Sequence, residues 1–574
     1  MTSPGQAMTE WWRNAVVYQV YPRSFADSNG DGIGDLPGVI AKLDYLKSLG
    51  VDVLWLSPFY PSPQVDNGYD ISDYRGVDPM FGTLDDLDAL IAGLHSRGMK
   101  FMTDIVINHT SDQHPWFTES RKNRTNAKRD WYIWRSARAG HTPGAPGAEP
   151  TNWVGFFGEK AWTLDEESGE YYMHLFCKEQ PDLNWENADV RQELYAMMRW
   201  WLARGVDGFR MDVINLISKT YPLADSTTKT SATHFEAGAL FAGGPRLGEF
   251  LAEMRREVNG STDKVLLTVG EMPGTVASDA AGYTNPDNSQ IDMIFQFEHM
   301  DIDRGTGRYD PIPWRLTDLK RTLGRWQDAL AGTGWNSLYW GNHDQSRPVS
   351  RFGSARLELR EHSAKMLATV LHLHRGTPYI YQGEELGMAN YPFETLEDFD
   401  DVDAYNSYRI AQTDTGDTEA ILAGLRHLGR DNSRTPMQWD ATTNAGFTTG
   451  TPWLPVNPNH VDVNAAVQIN DAGSVFHHYR RLIGLRHALD TVSLGSFEML
   501  LPEDETIYAF TRTHGSEQLL VVANFSDNEP EVPLDAADWN QLVMTTYPDG
   551  LGPGGPTRLR PREARIYRRR TTTH

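Results

Sequence analysis

Short apolar runs alternate with amphipathic stretches over most of this chain. Runs at 15–21, 51–56, 100–107, 206–213, 265–269, 293–297, 336–340 and 378–381 are rich in Val, Ile, Leu and aromatic residues and read as strands. Between them, apolar positions recur at helical spacing over 36–49, 84–96, 191–203, 316–330 and 360–373. Strand–helix alternation implies a parallel sheet, and the eight units counted here close a (β/α)8 barrel, an α/β fold.

Two stretches break the repeat. Between the third and fourth strands, residues 110–184 contain no clear crossover helix; they are rich in Trp, Phe and Tyr and include a Gly/Pro/Ala loop at 137–150. So long an excursion is usually functional, and it reads as a small inserted domain leaning over the barrel mouth. From about 490 onward the runs are short and β-like, at 507–512, 518–524 and 564–567, which implies a closing antiparallel β domain. The expected division is barrel, first part, 1–109; inserted domain, 110–184; barrel, second part, 185–490; C-terminal β domain, 491–574. The tail at 568–574 is expected to fray.

Acidic residues outnumber basic ones by 77 to 53, a net charge of −24, which disfavours nucleic acid and anionic lipid as partners. One cysteine, Cys177, permits no internal disulfide and points to a reducing compartment. The first residues lack a basic start and apolar core, and no apolar segment is long enough to span a bilayer. A cytoplasmic protein, monomer or homodimer, is expected.

The candidate chemistry lies at strand ends. Asp212 follows Gly208-Phe209-Arg210-Met211, Glu271 follows Leu267-Thr268-Val269-Gly270, and Asp344 sits in Asn342-His343-Asp344-Gln345. In a barrel, the C-terminal ends of the strands converge on one mouth. Retaining glycoside hydrolysis needs one carboxylate as nucleophile and one carboxylic acid as proton donor. Asp212 suits the nucleophile, because Arg210 lies two residues earlier on the same strand face and favours ionisation. Glu271 has Met272 and Pro273 beside it and no basic neighbour in sequence, surroundings that raise an acid's pKa. Asp344 is left to stabilise developing positive charge and bind sugar hydroxyls. Strand-end acids can also be plain helix caps, but three together weigh against that.

These segments resemble the signatures of the α-amylase-like superfamily of retaining glycoside hydrolases: Asp104-Ile105-Val106-Ile107-Asn108-His109, the Asp212 and Glu271 segments, and Asn342-His343-Asp344. Gln180-Pro181-Asp182-Leu183-Asn184 resembles the mark of the oligo-1,6-glucosidase branch. The resemblance implies that barrel with an inserted domain and a C-terminal β domain. It also implies Asp212 as nucleophile, Glu271 as acid/base and Asp344 as transition-state stabiliser. His109 and His343 match hydroxyl-binding histidines, Asp66 and Tyr69 a site for the non-reducing sugar, and Phe157 and Phe176 aromatics at the mouth. Arg434, in Arg430-Asp431-Asn432-Ser433-Arg434, resembles the arginine that pairs with that acid and closes the pocket behind one sugar.

The loop Asp27-Ser28-Asn29-Gly30-Asp31-Gly32-Ile33-Gly34-Asp35 spaces oxygen ligands as a hard divalent cation wants, though the twelfth position counted from Asp27 is Gly38, not Glu, which excludes an EF-hand. The resemblance implies structural Ca2+ or Mg2+ held by Asp27, Asn29, Asp31, the Ile33 carbonyl and Asp35; an ordinary Asx-turn loop is the other reading. Val213 matches a position where valine accompanies α-1,6 cleavage, although strand propensity explains a valine there equally well. The expected enzyme is an exo-acting retaining α-glucosidase that removes terminal α-1,6-linked, and also α-1,4-linked, glucose from short oligosaccharides. An α-1,4-glucosidase, a trehalose-6-phosphate hydrolase and a sucrose- or trehalose-type isomerase are the alternatives on the same fold.

Overall fold

In the computed structural model the described residues are 10–229, 235–285, 290–535, 538–539, 541–547, 549 and 557–570. All eight expected barrel strands form: Val17–Val20, Val53–Leu56, Lys100–Val106, Gly208–Asp212, Leu267–Glu271, Met293–Phe295, Ser337–Leu338 and Thr377–Tyr381. Every pairing among them is parallel, in the spatial order sixth, fifth, fourth, third, second, first, eighth, seventh. A parallel bridge between Ile294 and Asn336 joins the sixth strand to the seventh and closes the barrel. Strands covered on both sides must be apolar throughout, and the first, second, fourth, fifth and eighth are buried at every position.

Local signals set the crossovers. Thr83 and Asp86 form a capping box before helix Leu84–Ser96, whose Leu87, Leu90, Ile91 and Leu94 face inward. Asn187 caps helix Ala188–Ala203 through the Asp189 N–H. The helical pattern over 36–49 is two helices, Leu36–Ala41 and Leu43–Leu49, broken at Lys42. On the fifth strand, a Cβ at Gly270 would lie 2.5 Å from Ile291 Cδ1 and 2.7 Å from Ile214 Cγ2. A larger residue just before Glu271 would therefore push the acid off its strand.

The excursion after the third strand carries a short helix, Pro115–Arg121, and a three-stranded antiparallel sheet of Trp134–Ser136, Trp162–Asp165 and Glu170–Met173. Trp153, Trp162, Tyr171 and Leu175 pack there with Leu216 and Phe241, two residues that follow the fourth strand, so the insertion is fastened to the barrel mouth. The 137–150 loop is tied to the segment after the fourth strand, where Arg138 pairs with Asp225 through both Nη atoms at 2.6 and 2.8 Å. The last domain is a five-stranded antiparallel sheet: Ser496–Leu500, Ile507–His514, Glu517–Asn524, Gln541–Thr545 and Ala564–Arg570. Its final strand runs through Arg570, so residues 568–570 do not fray as expected, because Arg568 and Arg569 are paired across the sheet with Glu517 and Gln518. Residues 571–574 lie outside the described ones. Among the described residues no helix is long and apolar enough to cross a membrane.

Candidate active site

Register brings the charges together. Arg210 is the cross-strand partner of Asp104, and Asp212 lies two residues on, on the same face. The Arg210 side chain is 1 % exposed. It reaches Asp104 at 2.9 Å and Asp212 at 2.6 Å through Nη1, and Glu271 at 2.6 Å through Nη2. A guanidinium taken out of water costs several kcal/mol unless acids surround it; here three do. Asp104 is also bonded by the Tyr69 hydroxyl at 3.0 Å.

Glu271 thus has a basic partner that its own sequence neighbours do not reveal: Arg210, from the adjacent strand. Burial drives Asp212 and Glu271 up to about 7 each, against the lowering effect of Arg210. The interaction of the two carboxyl groups with each other lowers Asp212 and raises Glu271. A proton on the pair is therefore favoured on Glu271, and the charge on Asp212. Asp344 behaves oppositely. Burial opposes its ionisation, but His343 at 3.1 Å, Arg430 at 3.3 Å and Arg434 at 2.7 Å hold it well below the ordinary carboxylate range.

Arg434 does not pair with Asp66. That role falls to Arg430, whose Nη2 lies 3.1 Å from Asp66 while its Nε binds Asp401 at 2.8 Å. Arg434, 1 % exposed, turns inward to Asp344 and to the His343 carbonyl. The segment forms a short helix, Asp431–Arg434, which directs residues at its two ends to different neighbours.

One cavity of about 210 Å3 is lined by Asp66, Tyr69, His109, Phe157, Phe176, Asp212, Val213, Glu271, Asp344 and Arg430, among others. Tyr69 stacks on His343 with ring centres 5.0 Å apart and planes 5° from parallel. His343 is fully buried behind Asp344, with Gln19 on its other ring nitrogen at 2.9 Å. His109 is lowered to about 4 by burial and stays neutral near neutral pH. Phe176 packs against His109 at 5.0 Å, and the Phe157 ring lies 5.0 Å from the Arg430 guanidinium.

Val213 is not part of the fourth strand, which ends at Asp212. Its backbone is left-handed, at φ 36° and ψ 42°, a conformation that a β-branched residue avoids. Strand propensity therefore does not explain this valine. Its N–H donates to Glu271 at 3.2 Å, so the turn aims a backbone donor at the acid and the side chain at the cavity.

The Asp27–Asp35 loop is closed by its own Asx turns. Asp27 accepts from the N–H groups of Asn29, Gly30 and Gly32, Asn29 from Asp31, and Asp31 from Ile33. Asp35 caps helix Leu36–Ala41 and accepts from Ser28. Among the described residues no three His, Cys, Asp or Glu side chains gather as a metal site requires. The donors remain all-oxygen, and none of them lines the cavity that holds Asp212, Glu271 and Asp344.

Asp104, Gln180, Gln345 and Asp401 were not singled out from sequence. Asp104, Gln180 and Gln345 stand inside segments that were, so the signal existed; Asp401 lies before a helix in an unpatterned stretch and gave none. Gln180, fully buried, bridges Asp66 at 3.1 Å and His109 at 3.3 Å.

Comparison with known proteins agrees with this geometry. Residues 19–495 match the alpha amylase catalytic domain family, and 497–548 the C-terminal domain of maltogenic amylase. The chain is 52 % identical over 564 residues to the oligo-1,6-glucosidase of Parageobacillus thermoglucosidasius, covering 97 % of this chain and 99 % of that protein. It is 46 % identical to the trehalose-6-phosphate hydrolase of Bacillus subtilis, covering 98 % of each. Among solved structures, isomaltulose synthase from Klebsiella sp. LX3 superposes with a TM-score of 0.92 at 41 % identity, covering 97 % of this chain and 99 % of that one. The chain belongs to the α-amylase family and is a glycoside hydrolase.

Proposed function

We propose that the chain is an exo-acting, retaining α-glucosidase that removes terminal α-1,6-linked glucose from short oligosaccharides. The observation that carries the mechanism is Arg210, which holds Asp212 and Glu271 each at 2.6 Å on one guanidinium. Inverting hydrolases keep their two carboxyl groups roughly 6.5–9.5 Å apart to admit a water, whereas retaining ones need only about 5 Å. Both carboxyl groups reach the same guanidinium, which supports the shorter, retaining separation.

In the first step Asp212 attacks the anomeric carbon and forms a glucosyl ester, while the Glu271 proton passes to the departing glycosidic oxygen. In the second, the Glu271 carboxylate takes a proton from water, and that water opens the ester. Asp344, strongly ionised, faces the positive charge developing at the sugar carbon. The Asp66–Arg430 pair closes the cavity behind one sugar, which supports release of single glucose units. The relation to oligo-1,6-glucosidases and the Val213 side chain in the cavity favour α-1,6 links. The all-oxygen loop supports a structural Ca2+ or Mg2+ held by Asp27, Asn29, Asp31, the Ile33 carbonyl and Asp35.

The test is 1H NMR of glucose as it is released from isomaltose. The α-anomer first, mutarotating later, is expected; β-glucose first would establish inversion and remove Asp212 as nucleophile.

A further inference from the structure

The residue after the third acid, Gln345, is 4 % exposed and lines the same cavity. Its Oε1 accepts from Arg351 Nη1 at 2.7 Å and from Arg304 Nη2 at 3.3 Å. Arg351 is itself fixed: Nε and Nη2 bind Asp303 at 2.7 and 2.6 Å, and Nη2 also donates to the Met300 carbonyl. An amide has one acceptor end and one donor end. Two guanidinium groups on one end decide which is which, because the flipped amide would set N–H bonds against two cations. The NH2 group is thus locked facing away from the arginines. Among the described residues it has no acceptor, and it is not sealed from the cavity.

Its place in the cavity tells what it meets. Glu271, which protonates the leaving oxygen, ends the fifth strand and pairs in register with Phe295 on the sixth. Asp301 and Arg304 follow that sixth strand and line the cavity with Gln345. Asp66 and Arg430 shut the cavity behind the other sugar. Gln345 therefore stands where the departing sugar sits.

Resting on the glucosidase reading above, we infer that Gln345 determines specificity by donating from Nε2 to a hydroxyl or ring oxygen of the leaving sugar, with Arg351 and Arg304 as positioning residues that hold its amide the right way round. The site then selects glycosides whose leaving group is a second sugar over those whose leaving group is an apolar aromatic alcohol.

Two variants test this on two substrates. Gln345→Ala removes the donor. Gln345→Glu keeps the shape and both arginine contacts but places a second acceptor where the NH2 was, so it answers the question even if the alanine variant folds poorly. The readout is kcat/KM on isomaltose relative to p-nitrophenyl α-glucoside, whose aglycone offers no hydroxyl. Both variants are expected to lower that ratio about tenfold, the factor of one hydrogen bond in a site closed to water, while aryl-glucoside turnover continues. Loss of both substrates in equal proportion, or of neither, overturns the role of Gln345. Failure of the wild-type protein on both substrates would instead overturn the glucosidase reading.

Discussion

Val213 joins two properties that a single substitution series separates. The residue is 7 % exposed, lines the cavity and holds φ at 36°. A left-handed backbone costs an ordinary L-residue ~1–2 kcal/mol, and more for a β-branched one. Truncating a buried valine to glycine removes three carbons, worth ~0.8 kcal/mol each or about 2.4 kcal/mol in all, before any cavity penalty. At an unstrained site such as Val269, fully buried on the fifth strand, that loss should appear in full. At Val213, relief of the backbone offsets most of it, so Val213→Gly should unfold within ~1 kcal/mol of wild type. Urea unfolding of Val213→Gly beside Val269→Gly measures the contrast. Substrate choice is the second readout. The flexible 1,6 link lets the leaving sugar swing clear of the valine methyl groups, whereas a 1,4-linked sugar meets them. Val213→Ala should therefore raise kcat/KM on maltose relative to isomaltose by about fivefold, or ~1 kcal/mol. Equal destabilisation of the two glycine variants would refute the strain; an unchanged substrate ratio would dismiss the side chain as a linkage determinant.

Turnover should fall as pH rises through about 7, where Glu271 loses the proton it must donate; a plateau in kcat/KM from pH 6 to 9 would contradict the acid assignment. Because burial raises Glu271 to about 7, the folded state binds more protons than the unfolded chain between about pH 4.5 and 7, and stability drains away as pH climbs through that window. Glu271→Gln lacks this term, so it should melt above wild type at pH 8 with the difference shrinking toward pH 4; a pH-independent difference would count against it. Arg430→Ala should raise KM for isomaltose at least tenfold by opening the end of the pocket and leaving Asp66 unpaired, and should admit longer products; glucose as sole product with unchanged KM would refute the closed-end role. Chelation with EDTA should lower the melting temperature and leave turnover at 25 °C intact, since none of the donors at Asp27–Asp35 lines the cavity that holds the acids; lost activity at unchanged melting temperature would show the ion to be catalytic.

The barrel was legible because its signal is repeated: each strand is a short buried run, and eight of them reinforce one another. The inserted and C-terminal sheets were legible as departures from that repeat. Boundaries were less so. The fifth strand lies two residues further on than its apolar run, since Glu271 belongs to it although the residue is charged. Sequence neighbours located the three acids but not their electrostatics. Arg210 was read as a partner for Asp212, whereas the strand pairing hands it to Asp104 and Glu271 as well. The choice between Arg430 and Arg434 depends on how one helical turn sits over the mouth, and spacing does not encode that. Val213 looked like a strand residue because a valine after Phe209 and Met211 continues the pattern; only its φ reveals the turn.

The most direct test is glucose release from isomaltose, maltose, trehalose 6-phosphate and sucrose at equal concentration, with Asp212→Asn as the control. Isomaltose fastest, and no turnover from the variant, is the expected result. Trehalose 6-phosphate or sucrose fastest would keep the chemistry and overturn the substrate, while an active Asp212→Asn enzyme would contradict the nucleophile itself.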